Sequence, residues 1–217
     1  MQRKRVGVLI SGRGSNMAAL IEAAKAADYP AEIVLVVSNV PDAGGLATAS
    51  AAGIATATVD HRQFGKDRAA FERALQAVLV EHRIALVCLA GFMRLLTPWF
   101  IDQWPQRMLN IHPALLPAFK GLDTHRRALE AGVKLHGATV HFVVPEMDSG
   151  PIIAQGAVAV HDHDTEAALA ARVLAVEHRI YPLALRLVAE GRVSVDGNRC
   201  RIAKAAAPDM ALVVPLD

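Results

Sequence analysis

Arg5-Val6-Gly7-Val8-Leu9-Ile10-Ser11 runs directly into Gly12-Arg13-Gly14-Ser15-Asn16 and then into an alanine-rich stretch over residues 17–27. The first segment reads as a short apolar strand, the second as a turn that needs glycine, and the third as a helix. The pattern then repeats, with strands expected at 33–38, 56–59, 86–90 and 108–112 and helices at 45–52 and 66–82. Strands alternating with helices of this length form βαβ units, a parallel sheet and right-handed crossovers. The expected fold class is therefore α/β: an open, mostly parallel twisted sheet with helices on both faces. An apolar share of 53% against 20% charged residues suits strands buried on both sides.

The second half is less regular. A loop over 113–121 precedes a helix near 124–131, and two further apolar runs occupy 137–144 and 151–160. A long helix over 165–190 is expected to start from an Asp164 cap and to kink or break at Pro182. Residues 193–202 around Asp196-Gly197 read as a hairpin. At 217 residues the chain fits one domain, enough to bury roughly 70% of its unfolded surface. Residues 1–190 would be the catalytic part, and 191–217 a hairpin and tail without a readable role.

Lys and Arg number 23 against 21 Asp and Glu. That balance argues against a nucleic-acid partner or a membrane surface, while local basic groups could still attract an anionic small molecule. The charged Met1-Gln2-Arg3-Lys4-Arg5 is followed by an apolar run too short for a signal-peptide core, and no stretch reaches membrane-spanning length. Cys88, inside Ala85-Leu86-Val87-Cys88-Leu89-Ala90, and Cys200 show no metal-ligand spacing. A reduced, cytoplasmic setting is expected, with Cys88 as a small buried apolar residue.

Gly12 and Gly14 permit a tight turn with positive φ, and the amides of Gly14, Ser15 and Asn16 can converge at a helix N-terminus. That geometry suits a phosphate. A dinucleotide fingerprint fits poorly, because Met17 stands where its third glycine belongs and Ser38-Asn39 ends the second strand without the ribose-binding acid. A purely structural turn is the plain alternative.

The chemistry concentrates in Asn110-Ile111-His112-Pro113 and, later, Asp148-Ser149-Gly150-Pro151. Side chains at i and i+2 of a strand share a face, so Asn110 and His112 project together. Pro113 cannot continue the ladder, so the strand stops at His112, at the end where open α/β sheets bind ligands. An amide, an imidazole and a carboxylate can run an acyl transfer without a metal. Asn110 and a protonated His112 would donate to a developing oxyanion, and a nearby Asp148 would favour the imidazolium.

Other candidates have ordinary readings. His161-Asp162-His163-Asp164 has metal-like spacing but joins a strand to a helix, where polar residues are expected. His141 could share the site's face, although a structural role is the simpler reading. Glu177 and Arg68 by default belong to charged helix faces. Met93, Arg94, Leu95 and Leu96 follow the fourth strand and its Gly91; such a run is usually core, but here it could wall a flat heterocycle.

Taken in order, Val8-Leu9-Ile10-Ser11-Gly12-Arg13-Gly14-Ser15-Asn16, Leu89-Ala90-Gly91-Phe92-Met93-Arg94, Leu109 to Pro117, Asp148-Ser149-Gly150-Pro151 and Glu177-His178-Arg179-Ile180-Tyr181-Pro182 resemble the phosphoribosylglycinamide formyltransferase family. The likeness runs from about residue 6 to residue 190; Ala114 stands for a common serine and Met17 for a common leucine. It implies a Rossmann-like formyltransferase fold and formyl transfer from 10-formyltetrahydrofolate to the amine of 5-phosphoribosylglycinamide in purine synthesis. It also implies Asn110, His112 and Asp148 as catalytic residues. Gly14, Ser15 and Asn16 would hold the phosphate, and Glu177 the glycinamide amine. Arg68, Met93, Arg94, Leu95, Leu96, Asn110, Val143 and Val144 would meet the folate, with no metal and a monomer or homodimer as the working unit. The rivals are a formyltetrahydrofolate hydrolase, which resembles this chain only after an extra N-terminal domain, and a non-catalytic phosphate-binding module, which has no use for the three groups together. A methionyl-tRNA formyltransferase would carry a further C-terminal domain.

Overall fold

Val6, Val8, Leu9 and Ile10 are fully buried, as a strand covered on both faces requires. They belong to β1 (Lys4–Ile10), and the computed structural model, which describes residues 2–205 and residue 214, sets it inside a nine-stranded sheet. β2 (Ala31–Ser38), β3 (Ala55–Thr58), β4 (Leu86–Leu89) and β5 (Met108–His112) run parallel to it in the order β3-β2-β1-β4-β5. β6 (Leu135–Phe142) is antiparallel to β5, and β7 (Ile152–Ala159) is antiparallel to β6. The expected hairpin forms as β8 (Val193–Asp196) and β9 (Arg199–Ile202), and β9 extends the same sheet by pairing Arg199 with Ile152. Of the expected C-terminal tail, residues 206–213 and 215–217 lie outside the described residues.

Alternation along β1 divides the core. Val6, Val8 and Ile10 pack with α1 (Ser15–Ala24), α2 (Gly44–Ala51) and α6 (Glu166–Ala189), whereas Leu9 faces α3 (Arg68–Glu81) and α4 (Pro98–Asp102). α5 (Thr124–Glu130) adds Ala128 to the first of these layers. Helices on both faces and a mostly parallel open sheet are thus observed. Strand order reverses between β1 and β4, which opens a crevice beyond their carboxyl ends.

Three expectations need correction. The long helix is capped by Thr165, whose side chain accepts from the Ala168 amide, and not by Asp164. Asp164 instead accepts the His161 amide at 2.8 Å and pairs with Arg172. α6 also continues through Pro182 without a break. Pro182 removes one helical hydrogen bond, but buried Ile180, Tyr181, Ala184 and Leu185 anchor the helix on either side of it. Finally, α4 and the 3₁₀ turn His61–Phe64 were not expected; each is too short to show a period.

Tyr181 links α6 to the strand ends that carry the site. Its ring is fully buried, and its hydroxyl is shared between the carbonyls of Leu89 at 2.9 Å and Leu109 at 3.2 Å. Tyr181→Phe should cost about 1–2 kcal/mol of stability, since it withdraws a buried donor from two carbonyls. The measurement is urea denaturation, where the midpoint should fall with an unchanged slope; an unmoved midpoint would show that the hydroxyl contributes nothing.

Candidate active site

Met108, Asn110 and His112 lie on one face of β5. Met108 is buried against the α3 and α4 layer, and the other two continue that face beyond the helices to the strand's carboxyl end. His112 is 5% exposed, with Nδ1 3.5 Å from Asp148 Oδ2 and Nε2 3.0 Å from the carbonyl of Phe119. The sequence separation of histidine and aspartate is closed by the segment after β6, which doubles back to bring Asp148 to His112. Asp148 itself has φ of +51°, an uncommon conformation for a residue with a side chain. At Gly150 a Cβ would stand 1.8 Å from the Phe142 carbonyl oxygen, so only glycine lets the chain return there.

His141 is a fourth member of the cluster. It sits directly opposite Asn110 across the β5–β6 pair, with Nε2 3.3 Å from Asn110 Nδ2 and 3.9 Å from Asp148 Oδ1. Its Nδ1 donates to the Phe142 carbonyl at 2.9 Å. Burial lowers the His141 pKa despite the Phe142 carbonyl and Asp148, which act the other way. Neutral His141 therefore presents a lone pair on Nε2. It accepts one N–H of the Asn110 amide and leaves the second available to the cleft. Asp148 is held by the Gly121 amide, which donates at 2.8 Å to Oδ2, the same oxygen that faces His112.

The glycine loop leads into α1, with positive φ at Gly14 but not at Gly12, which was expected to share it. Gly14 caps α1 at φ +71°, where a side chain would press on Met17 Cε at 3.1 Å and on Gly45 Cα at 3.3 Å. The amides of Ser15 and Asn16 open the helix, where no preceding turn supplies them an acceptor. Asn16 Nδ2 donates to Glu177 Oε2 at 2.6 Å, and Asn16 Oδ1 is buried with no partner among the described residues. Glu177 is thus not on a solvated helix face: it is 6% exposed, and burial raises its carboxyl pKa while the Asn16 amide opposes the rise. One strand, β4, separates the glycine loop after β1 from the catalytic end of β5. Two strand spacings span about 10 Å, a length suited to a phosphorylated sugar with a short side arm.

The third part follows β4. Phe92 and Leu96 pack on the second core layer, as does Val143, whereas Met93 and Leu95 are 70% and 64% exposed. Arg68 donates to the Leu95 carbonyl and so joins this segment, and the Arg94 guanidinium stacks 5.1 Å over Phe71. The Met93 amide donates to Ser11 Oγ at 2.8 Å, and Ser11 Oγ donates to Asn39 Oδ1 at 2.5 Å. That brace ties the segment after β4 to the end of β1, just before the glycine loop. Val144 is half-buried at the start of the segment leading to Asp148.

Sequence reasoning undervalued His141 and missed the Ser11–Asn39 brace and the contribution of Gly121. His141 was discoverable only through the strand register, because its partner Asn110 lies across an antiparallel pair. In His161-Asp162-His163-Asp164 the two aspartates serve Lys134 and Arg172.

Residues 4–185 match the family model described as formyl transferase. The chain is 51% identical over 191 residues to the chicken trifunctional purine biosynthetic protein adenosine-3, covering 88% of this chain and 19% of that protein. It thus spans about a fifth of the length of that relative. It is 46% identical to the phosphoribosylglycinamide formyltransferase of Escherichia coli, covering 88% of this chain and 90% of the other. Among solved structures it is similar to glycinamide ribonucleotide transformylase 1 from Symbiobacterium toebii, with 47% identity, a TM-score of 0.89 and coverage of 92% and 94%.

Glu177 yields a pH prediction with a defined sign. A carboxyl whose folded pKa is raised binds more protons in the native state than in the unfolded one, so stability falls as pH rises above the ordinary glutamate range. Glu177→Gln should therefore be more stable than wild type at neutral pH, and the gap should close below about pH 4. Denaturation curves at several pH values test this. A constant gap would show that the effect is not ionisation of Glu177.

Proposed function

The chain belongs to the phosphoribosylglycinamide formyltransferase family, and we propose that its own site moves the formyl group of 10-formyltetrahydrofolate to the amine of 5-phosphoribosylglycinamide. One observation carries this reading: Asn110, His112 and Asp148 gather at the carboxyl end of β5, one strand away from the glycine loop that opens α1, and the exposed Met93 and Leu95 follow the strand between them. A phosphate-binding module has no need of the cluster, and a hydrolase has no need of the phosphate loop.

The folate is a substrate here, and the exposed Met93 and Leu95 suit a flat heterocycle whose burial removes apolar surface from water. The guanidinium groups of Arg68 and Arg94 border the same wall and suit an anionic tail. At the other end, the sugar phosphate meets the Gly14, Ser15 and Asn16 loop. The Asn16–Glu177 hydrogen bond supports assigning Glu177 to the hydroxyls of the adjoining ribose. The resemblance had given it the amine, but the amine has to reach Asn110 and His112.

Attack of the amine on the formyl carbon shifts negative charge onto the formyl oxygen. The free N–H of Asn110, its amide held by His141, is a preorganised donor to that oxygen. His112 becomes the second donor once it has taken the proton of the amine, and the Asp148 carboxylate beside it stabilises that charge. The amine must also lose a proton and the folate nitrogen must gain one before it leaves. His112 and Asp148 form the adjacent pair through which that proton passes. Two free thiols, Cys88 and Cys200, agree with a reducing cytoplasm.

The test is turnover of 10-formyltetrahydrofolate with 5-phosphoribosylglycinamide, followed by absorbance of the released folate. Turnover that needs only water would transfer the assignment to a hydrolase. With the amine substrate, Asn110→Ala should lower kcat by roughly 10²–10³, the effect of losing one oxyanion donor. Asp148→Asn should lower kcat far more than KM, and an unchanged kcat would remove Asp148 from the mechanism.

A further inference from the structure

Residues 119–122 connect to the catalytic pair entirely through their main chain. The Phe119 carbonyl accepts from His112 Nε2, and the Gly121 amide donates to Asp148 Oδ2. The two intervening and following carbonyls have a common partner: Arg127 Nη1, from α5, donates to the Lys120 carbonyl at 2.6 Å and to the Leu122 carbonyl at 3.2 Å. The same guanidinium lies 5.7 Å from the centre of the Phe119 ring, which also packs nearly perpendicular to the buried His136 ring, with ring centres 5.8 Å apart. Phe119 has φ of +54° and Gly121 +83°. A left-handed phenylalanine persists only where its surroundings over-determine it, and here two contacts to its ring and the two hydrogen bonds of Arg127 Nη1 do so.

We propose that Arg127 is a positioning residue: by clamping residues 119–122 it aims the Phe119 carbonyl at His112 Nε2, keeps a proton there, and makes Nδ1 the nitrogen that exchanges protons during turnover. A carbonyl oxygen can only accept, so Nε2 must carry a hydrogen in both charge states of the ring. The neutral ring is then the Nε2–H tautomer, with its lone pair on Nδ1 facing Asp148. In the transfer, the bond from the amine nitrogen to the formyl carbon forms, and Nδ1 takes the proton that the amine sheds. The bond from that carbon to the folate nitrogen then breaks as the Nδ1 proton passes to the departing nitrogen. His112 ends neutral, with Nε2–H untouched throughout. One short segment thereby sets the angle of the imidazole and the place of its carboxylate together. The proposal rests on the formyl-transfer reading for its kinetic arm alone.

The experiment uses the full chain with ¹⁵N-labelled histidine, and the His112 signals are assigned among the nine histidines by their loss in His112→Gln. At alkaline pH, long-range ¹⁵N–¹H spectra should show wild-type His112 as the single Nε2–H tautomer. Arg127→Ala should give a mixture of tautomers and a kcat lowered about ten-fold, inside the hundred-fold that a 1 Å misplacement can cost. Both KM values should stay within about two-fold, because transition-state positioning and not ground-state binding is lost. Arg127→Lys should fall between, since an ammonium can reach the two carbonyls but lacks the planar guanidinium that lies against the Phe119 ring. Arg126→Ala, one residue away on the exposed face of α5, should match wild type. The proposal is overturned by an Nδ1–H or mixed tautomer in wild type, or by Arg127→Ala with wild-type kcat and tautomer. If Arg127→Ala does not fold, wild-type kcat and tautomer in Arg127→Lys overturn it instead. Absence of formyl transfer in wild type would defeat the functional reading and leave the tautomer result standing.

Discussion

In a sheet whose first five strands are parallel, the hydrogen bonds between β5 and β6 run antiparallel, with Asn110 opposite His141 and His112 opposite Thr139. That reversal has two consequences for the site. It places a second imidazole beside the Asn110 amide, and it carries the chain at Phe142 to the amino end of β5, so the segment that follows has to fold back before Asp148 meets His112. The same pairing secures the loop after Pro113. Thr139 Oγ1 donates to the Ala114 carbonyl at 2.7 Å and accepts the Leu116 amide at 3.0 Å, and Gln155 Nε2 donates to the Leu116 carbonyl at 2.9 Å. A segment that would otherwise be a free connection is held to the sheet by buried polar groups with partners.

The cleft divides between groups that bind by geometry and groups that bind by charge. Main-chain amides at the start of α1 stand next to a buried carboxylate whose own charge opposes an anion. In the proposed reaction such oriented amides would attract the phosphate without adding a mobile cation beside Glu177. The segment after β4 presents apolar side chains with guanidinium groups at their margin. The Asp148 side chain is about 10% exposed. In so dry a setting its attraction for a charged imidazole is stronger than it would be in water.

The alternating strands and helices of the first half were legible because they are long enough to show their periods and because glycine and proline mark the boundaries. Asn110 and His112 were legible for the same reason: a strand of known direction ended by a proline fixes where two alternate side chains point. What the sequence left hidden depends on register or on main-chain contacts. His141 becomes a site residue only once β6 is known to pair antiparallel with β5. The Gly121 amide and Phe119 carbonyl carry no side-chain signature at all. Pro182 misled for a physical reason, since the local cost of a missing helical hydrogen bond was outweighed by burial of Tyr181, Ala184 and Leu185 around it. Glu177 misled in the opposite sense, because helical charge patterning does not reveal that Asn16 approaches from another element.

In the proposed mechanism Asn110 and His112 are each tied at one end to a partner whose state stays constant during turnover. Asn110 donates to His141, and burial keeps that imidazole neutral, so its lone pair remains an acceptor while charge moves nearby. His112 donates to the Phe119 carbonyl, a group with no protonation to change. Fixing one end by an invariant partner leaves the other end as the only part of each side chain that can answer the reaction. An amide held in this way cannot rotate to offer its oxygen to an oxyanion, and an imidazole so held cannot exchange the roles of its nitrogens. The reorganisation that water would undergo on forming the transition state has been built into the fold, where preorganised donors contribute most.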